Sequence, residues 1–154
     1  MINNKTTVRY SWHLILISFV FLFFYGIALY DYVMTVTHNQ SYFEYLHYDQ
    51  AVIDYFTNYP ILPLLFWTVN VFAGTLTPLL MLMRKPIAFY SSVIAFVAIL
   101  CMDIFTFGFR DRWNVIGAET STTDLVMLGL TLGLCFYNYF QFRRIDARTQ
   151  QFKG

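Results

Sequence analysis

Charge is what this chain has least of: Asp, Glu, Lys and Arg make up 12% of its 154 residues, against roughly 25% in an average soluble domain. With 58% hydrophobic residues, a soluble domain of this length could not hide its apolar surface in one core. A net charge of +1 leaves no basic face to neutralise phosphates, so no nucleic-acid partner is expected. Cysteine is scarce too. Cys101 and Cys135 sit inside apolar segments, without C-x-x-C spacing or adjacent histidines, which speaks for packing residues and against a metal or redox pair. The three histidines, His13, His38 and His47, are not spaced to face one another inside a bundle, as haem ligands would be. No metal, haem or other cofactor is expected. The chain also lacks a Gly-rich phosphate loop, a Ser/His/Asp arrangement and an H-E-x-x-H motif, so a membrane-bound enzyme or electron-transfer subunit is the weakest functional class.

What the chain has in abundance is apolar and aromatic sequence, the latter 21% of all residues. It falls into four segments, about 12–34, 61–83, 87–107 and 125–142, each able to cross most or all of ~30 Å of hydrocarbon as a helix. The expected architecture is therefore all-α: one polytopic membrane domain with four transmembrane helices in a bundle. The first segment is too long for a secretory signal, and Tyr30-Asp31-Tyr32 follows where small residues would mark a cleavage site, so it reads as an uncleaved anchor. Residues 35–60 hold acids but neither Lys nor Arg. Their mixed helical spacing predicts a loop with a short surface helix that caps the bundle. Pro60 and Pro63 suit the first turn of the second helix, whereas Pro78 should kink its interior. Ser121-Thr122-Thr123-Asp124 has the form of a capping box for the fourth helix. Arg143 follows the fourth segment and opens a polar tail, 143–154.

Orientation follows from the cations. Lys5, Arg9, Arg84, Lys85, Arg143, Arg144, Arg148 and Lys153 all fall on one side of the expected bundle, and only Arg110 and Arg112 fall on the other. By the positive-inside rule both termini face the cytoplasm.

With the topology drawn, candidate site residues gather at the opposite end. Asp31, Asp103, Arg110, Arg112 and Asp124 lie at or near this outer interface, and a carboxylate in or beside a span is a functional candidate. Asp103 is about 17 residues past Pro86, hence about 25 Å along the helix, and shares a helical face with Arg110. Two readings stand side by side. The preferred one is an ion pair of Asp103 with Arg110 or Arg112 that fixes helix ends; the other is an outward-facing polar pocket for a small solute or a proton. Gly74, and Gly129 with Gly133, have the small side chains that let membrane helices approach. They are expected to face a protein neighbour, in the same chain or in a second copy. Asn70 and Asn138 are placed to hydrogen-bond between helices.

The pattern Tyr55-Phe56…Tyr59-Pro60…Trp67…Gly74…Leu79-Leu80…Arg84, followed by a third span ending in aromatics and an acid, resembles a group of small four-helix bacterial membrane proteins. Some of these carry the label "sugar transporter". The resemblance implies a bacterial inner-membrane setting and brings no assigned binding residues. The functional expectation is a non-enzymatic membrane protein of accessory or structural type. Its partners would be the lipid bilayer and either a second copy or other membrane proteins. A small-solute or proton-coupled transporter is the alternative.

Overall fold

The structure, a computed structural model, describes residues 12–151, with side chains through residue 141. Lys5, Arg9 and Lys153, used above to orient the chain, lie outside the described residues, and of Arg143, Arg144 and Arg148 only the helix is described. Seven helices follow in order among the described residues: α1 (Trp12–Val36), α2 (Gln40–Tyr45), α3 (Gln50–Thr57), α4 (Ile61–Leu82), α5 (Ile87–Phe109), α6 (Arg112–Ile116) and α7 (Ala118–Gln151). Three of them, α1, α4 and α5, are long and apolar enough to cross a membrane. The fourth apolar segment lies within α7, which starts before it and runs past it.

The long helices form a ring. Helix α1 packs on α4, α4 on α5 and α5 on α7, and α7 returns to α1 through side chains. Tyr25 shares a 2.8 Å hydrogen bond with Thr131, and His13 another of 2.8 Å with Tyr137. Tyr25, 1% exposed, fills the middle of the ring with its ring against Gly74. Beside apolar residues such as Val71, Met81 and Leu134, many interior-facing residues are small or polar: Ser18, Asn70, Thr77, Ser91, Ser92, Ala95, Thr131 and Asn138 are all buried. The exposed faces are apolar stripes at helical spacing, such as Leu62, Leu65, Val69, Phe72, Leu76 and Leu79 on α4, or Ile87, Tyr90, Ile94 and Val97 on α5. An interior rich in small polar residues and an outer surface of large apolar ones differ from the pattern of a water-soluble bundle.

Short-range chemistry explains most helix ends. Asn39 and Asp49 cap α2 and α3, accepting from the amides of Tyr42 and Val52. Helices α1, α2 and α4 end in one motif. His38, His47 and Arg84 have φ near +50°, and the amides after them reach back to the carbonyls of Met34, Phe43 and Leu80, which satisfies the orphan carbonyls of the last turn. Two of the three histidines are thus turn residues, a role the enrichment of His at positive φ allows. Pro60 and Pro63 stand at the start of α4. The helix continues through Pro78, and the hydroxyls of Thr77 and Ser91 both donate to the neighbouring Ala73 carbonyl. Asn70 makes the expected bond between helices, its amide donating to the Ala95 carbonyl at 3.0 Å, whereas the Asn138 amide nitrogen is buried without a hydrogen bond.

The expected capping box is not formed. Gly117, at φ +94° and four residues before Ser121, turns the chain into α7, and the Ser121 hydroxyl is buried with no hydrogen bond. Asp124 is free of capping duty and is used elsewhere.

Candidate functional site at the α6 end of the bundle

Helices α2, α3 and α6 cover one end of the ring, where all five charged candidates are found. Val52, Tyr55 and Phe56 of α3 form a buried cluster, against which Tyr48, Tyr59, Trp67, Val115 and Ile116 pack. This cluster ties the α3 cap to α4 and α6.

Each candidate has a different surrounding. Arg112, buried on α6, donates from Nε to Oδ2 of Asp124 on α7 at 2.6 Å, the one ion pair among the described residues. Burial works against the Arg112 charge, but the adjacent carboxylate outweighs it and holds the guanidinium firmly ionised. Arg110 looks the other way. Its Cζ lies 4.0 Å from the centre of the Tyr55 ring and 5.1 Å from that of Tyr59, and its Nη2 donates to the Tyr55 carbonyl at 3.1 Å. Both rings offer their faces to the cation. Burial pushes the Tyr59 phenol up, so it stays neutral beside the guanidinium. Asp31, on α1, accepts from the hydroxyl of Tyr42 on α2 at 2.7 Å. Burial, followed by the hydrogen bond to Asp31 and then its charge, pushes Tyr42 up, which keeps it a donor.

Asp103 has none of these. It is 4% exposed, and neither carboxyl oxygen has a hydrogen-bond partner. The expected pair of Asp103 with Arg110 or Arg112 is therefore not formed: Arg112 is bound to Asp124, and Arg110 is stacked on the two tyrosines. Nearness in sequence misled here, because the chain reverses at Asp111 (φ +47°) and Gly117 (φ +94°). Those two turns carry Arg112 across to α7.

The glycines separate as well. A Cβ on Gly74 would overlap the Tyr25 ring, so this glycine does admit a neighbouring helix. A Cβ on Gly129 or Gly133 meets nothing within 4 Å. Among the described residues of the same chain, the neighbour expected for this pair is thus not supplied. Leu at both positions should leave the unfolding midpoint of the single chain in detergent within about 1 kcal/mol of wild type, as for a surface change. A larger loss would mean that the pair is packed within the chain. A change in the size of the detergent-solubilised particle would report a second copy.

Two cavities open near this end. One, of about 200 Å³, is lined by Thr35, His38, Phe56, Tyr59 and Trp67 among others; the other, of about 440 Å³, lies beside Tyr30, Asn39, Tyr42 and Tyr45. None of the five charged candidates lines either. Among the described residues no three His, Cys, Asp or Glu side chains are grouped to hold a metal ion. Sequence reasoning missed Tyr25, Tyr42, Tyr55 and Tyr59 as the partners of Gly74, Asp31 and Arg110. The signal for Tyr42, Tyr55 and Tyr59 is the tyrosine density of residues 35–60, which by itself names no partner.

By its helices, then, the chain is an all-α protein with membrane-length segments. Comparison with protein-family models, with curated proteins and with solved structures finds no match.

Proposed function

We propose that the chain is a four-span protein of a bacterial inner membrane, with both termini in the cytoplasm, that acts without enzymatic chemistry as an accessory or structural component. The observation that carries this is the distribution of side chains on the four long helices. Helix α7 exposes Val126, Leu130, Phe136 and Phe140 just as α4 and α5 expose their apolar stripes, while Thr131, Cys135 and Asn138 turn inward. That supports counting α7 as the fourth span. Kinship with small four-helix bacterial membrane proteins belongs to the same proposal, supported by the packing of Tyr55, Phe56, Tyr59 and Trp67 into one aromatic cluster.

Single cysteines at Ser41 and Glu119 should react with a membrane-impermeant thiol reagent in intact spheroplasts, and one at Gln150 only after lysis. Labelling of Gln150→Cys in sealed cells would overturn the orientation. For function, liposomes containing only this chain should show no solute uptake and no proton flux under an imposed potential. Flux through the chain alone would favour the second reading, a proton-coupled transporter, for which the buried Asp103 speaks.

A further inference from the structure

Three acids from three long helices lie at the α6 end, and one of them is bonded to the Arg112 guanidinium. Asp124 of α7 is bonded to Arg112, and the charges acting on Asp103 of α5 are those of Asp124 and Arg112. Asp31 of α1 lies within the field of the same two residues. Helix α4, packed along α5, brings no ionisable Asp, Glu, His, Lys or Arg; α6 brings Arg112, and α7 brings Asp124. Arg110, at the end of α5 itself, is held over Tyr55 and Tyr59. Ionised together, the three acids would leave two uncompensated negative charges at the edge of hydrocarbon. Asp31 has the Tyr42 hydroxyl and Asp124 has Arg112. Asp103 has burial and no partner, the situation in which the charged form is most costly.

We propose that Asp103 is a proton-binding site and that it competes with Asp124 for Arg112. The two arrangements carry the same charge. In one, Asp103 is neutral and Arg112 is paired with Asp124, as seen. In the other, Arg112 is paired with ionised Asp103, and the proton that left the Asp103 oxygen sits on an oxygen of Asp124. Helix α6 carries Arg112 on a five-residue element between the turns at Asp111 and Gly117, separate from the long helices that hold Asp103 and Asp124. The ligand is H⁺, and the side from which it arrives rests on the orientation proposed above.

Infrared difference spectroscopy of the purified full chain in detergent tests this without reference to topology, which cysteine labelling reads separately. The wild type should show the C=O stretch of a buried protonated carboxyl at neutral pH. Asp103→Asn should abolish that component, and Asp31→Asn should leave it. Asp124→Asn releases Arg112 to Asp103, so the Asp103 component should disappear there too, though Asp103 is intact. Where Asp103→Asn does not fold, Asp103→Glu should move the band. A spectrum unchanged by Asp103→Asn, or a band unmoved in Asp103→Glu, would overturn the proton site. A full Asp103 band in Asp124→Asn would overturn the sharing of Arg112.

Discussion

Arg112→Ala should cost the purified protein about 3–5 kcal/mol of stability, the range seen when one member of a buried ion pair is removed. Arg112 is 7% exposed, and its Nε lies 2.6 Å from an Asp124 oxygen. Removing the guanidinium leaves the partly buried Asp124 carboxylate with no cation beside it, and breaks the one ion pair between α6 and α7 among the described residues. Asp124→Asn alone should be less damaging, because the arginine can reach Asp103 or solvent. The double variant Arg112→Ala/Asp124→Asn should recover part of the loss, since neither charge is then stranded. Unfolding midpoints of the four proteins in detergent close the cycle. Coupling near zero between positions 112 and 124 would remove the ion pair from the account of stability. By contrast, Asp103 has no hydrogen-bond or ion-pair partner to lose, so Asp103→Asn should change stability little.

Gly74→Leu should be nearly as severe, with a loss of about 3 kcal/mol, the upper end of what overpacking costs. A Cβ at Gly74 would already overlap the Tyr25 ring. That ring cannot swing aside cheaply, being 1% exposed and bonded through its hydroxyl to Thr131 on the far side of the ring of helices. Helices α1 and α4 must part instead, taking with them the 2.8 Å contact of Tyr32 with Thr68. Gly26→Leu is the control. It lies one residue from Tyr25 on the same helix, but a Cβ there meets nothing within 4 Å, so its effect should stay within about 0.5 kcal/mol. Equal midpoints for Gly74→Leu and Gly26→Leu would sink the packing account. Tyr25→Ala combined with Gly74→Leu should restore part of the stability of Gly74→Leu, by opening the space that the new side chain needs.

The apolar segments were legible because hydropathy over 20 residues is a local property, and α1, α4 and α5 begin at the expected Trp12, Ile61 and Ile87. Gly74 was legible for a similar reason: a glycine inside a long apolar helix is rarely there for the helix itself. The α2 and α3 helices were half-legible, since alternating turn and helical spacing shows that something short is folded there but not where it is cut. Local patterns failed where a competing contact lay far along the chain. Ser121 to Asp124 has capping-box chemistry, yet Gly117 starts the helix earlier and Arg112 takes the carboxylate. Gly129 and Gly133 carry the small-xxx-small spacing, which does not say whether the neighbour is this chain or a second copy; among the described residues a Cβ at either meets nothing within 4 Å.

The sequence by itself determined that this is an all-helical chain with membrane-length segments, and that its ionisable side chains are confined to the segment ends, because hydrocarbon excludes charge wherever the chain folds. Which acid would find a cation was decided only by the tertiary structure. Asp103, Asp124 and Asp31 are equivalent on paper, each beside a hydrophobic run. The turns at Asp111 and Gly117 send Arg112 to Asp124, α2 brings Tyr42 to Asp31, and Tyr55 and Tyr59 take Arg110. A side chain reaches only a few ångströms, so partnership depends on how the helix ends are placed in space, and Asp103 is the acid left without one.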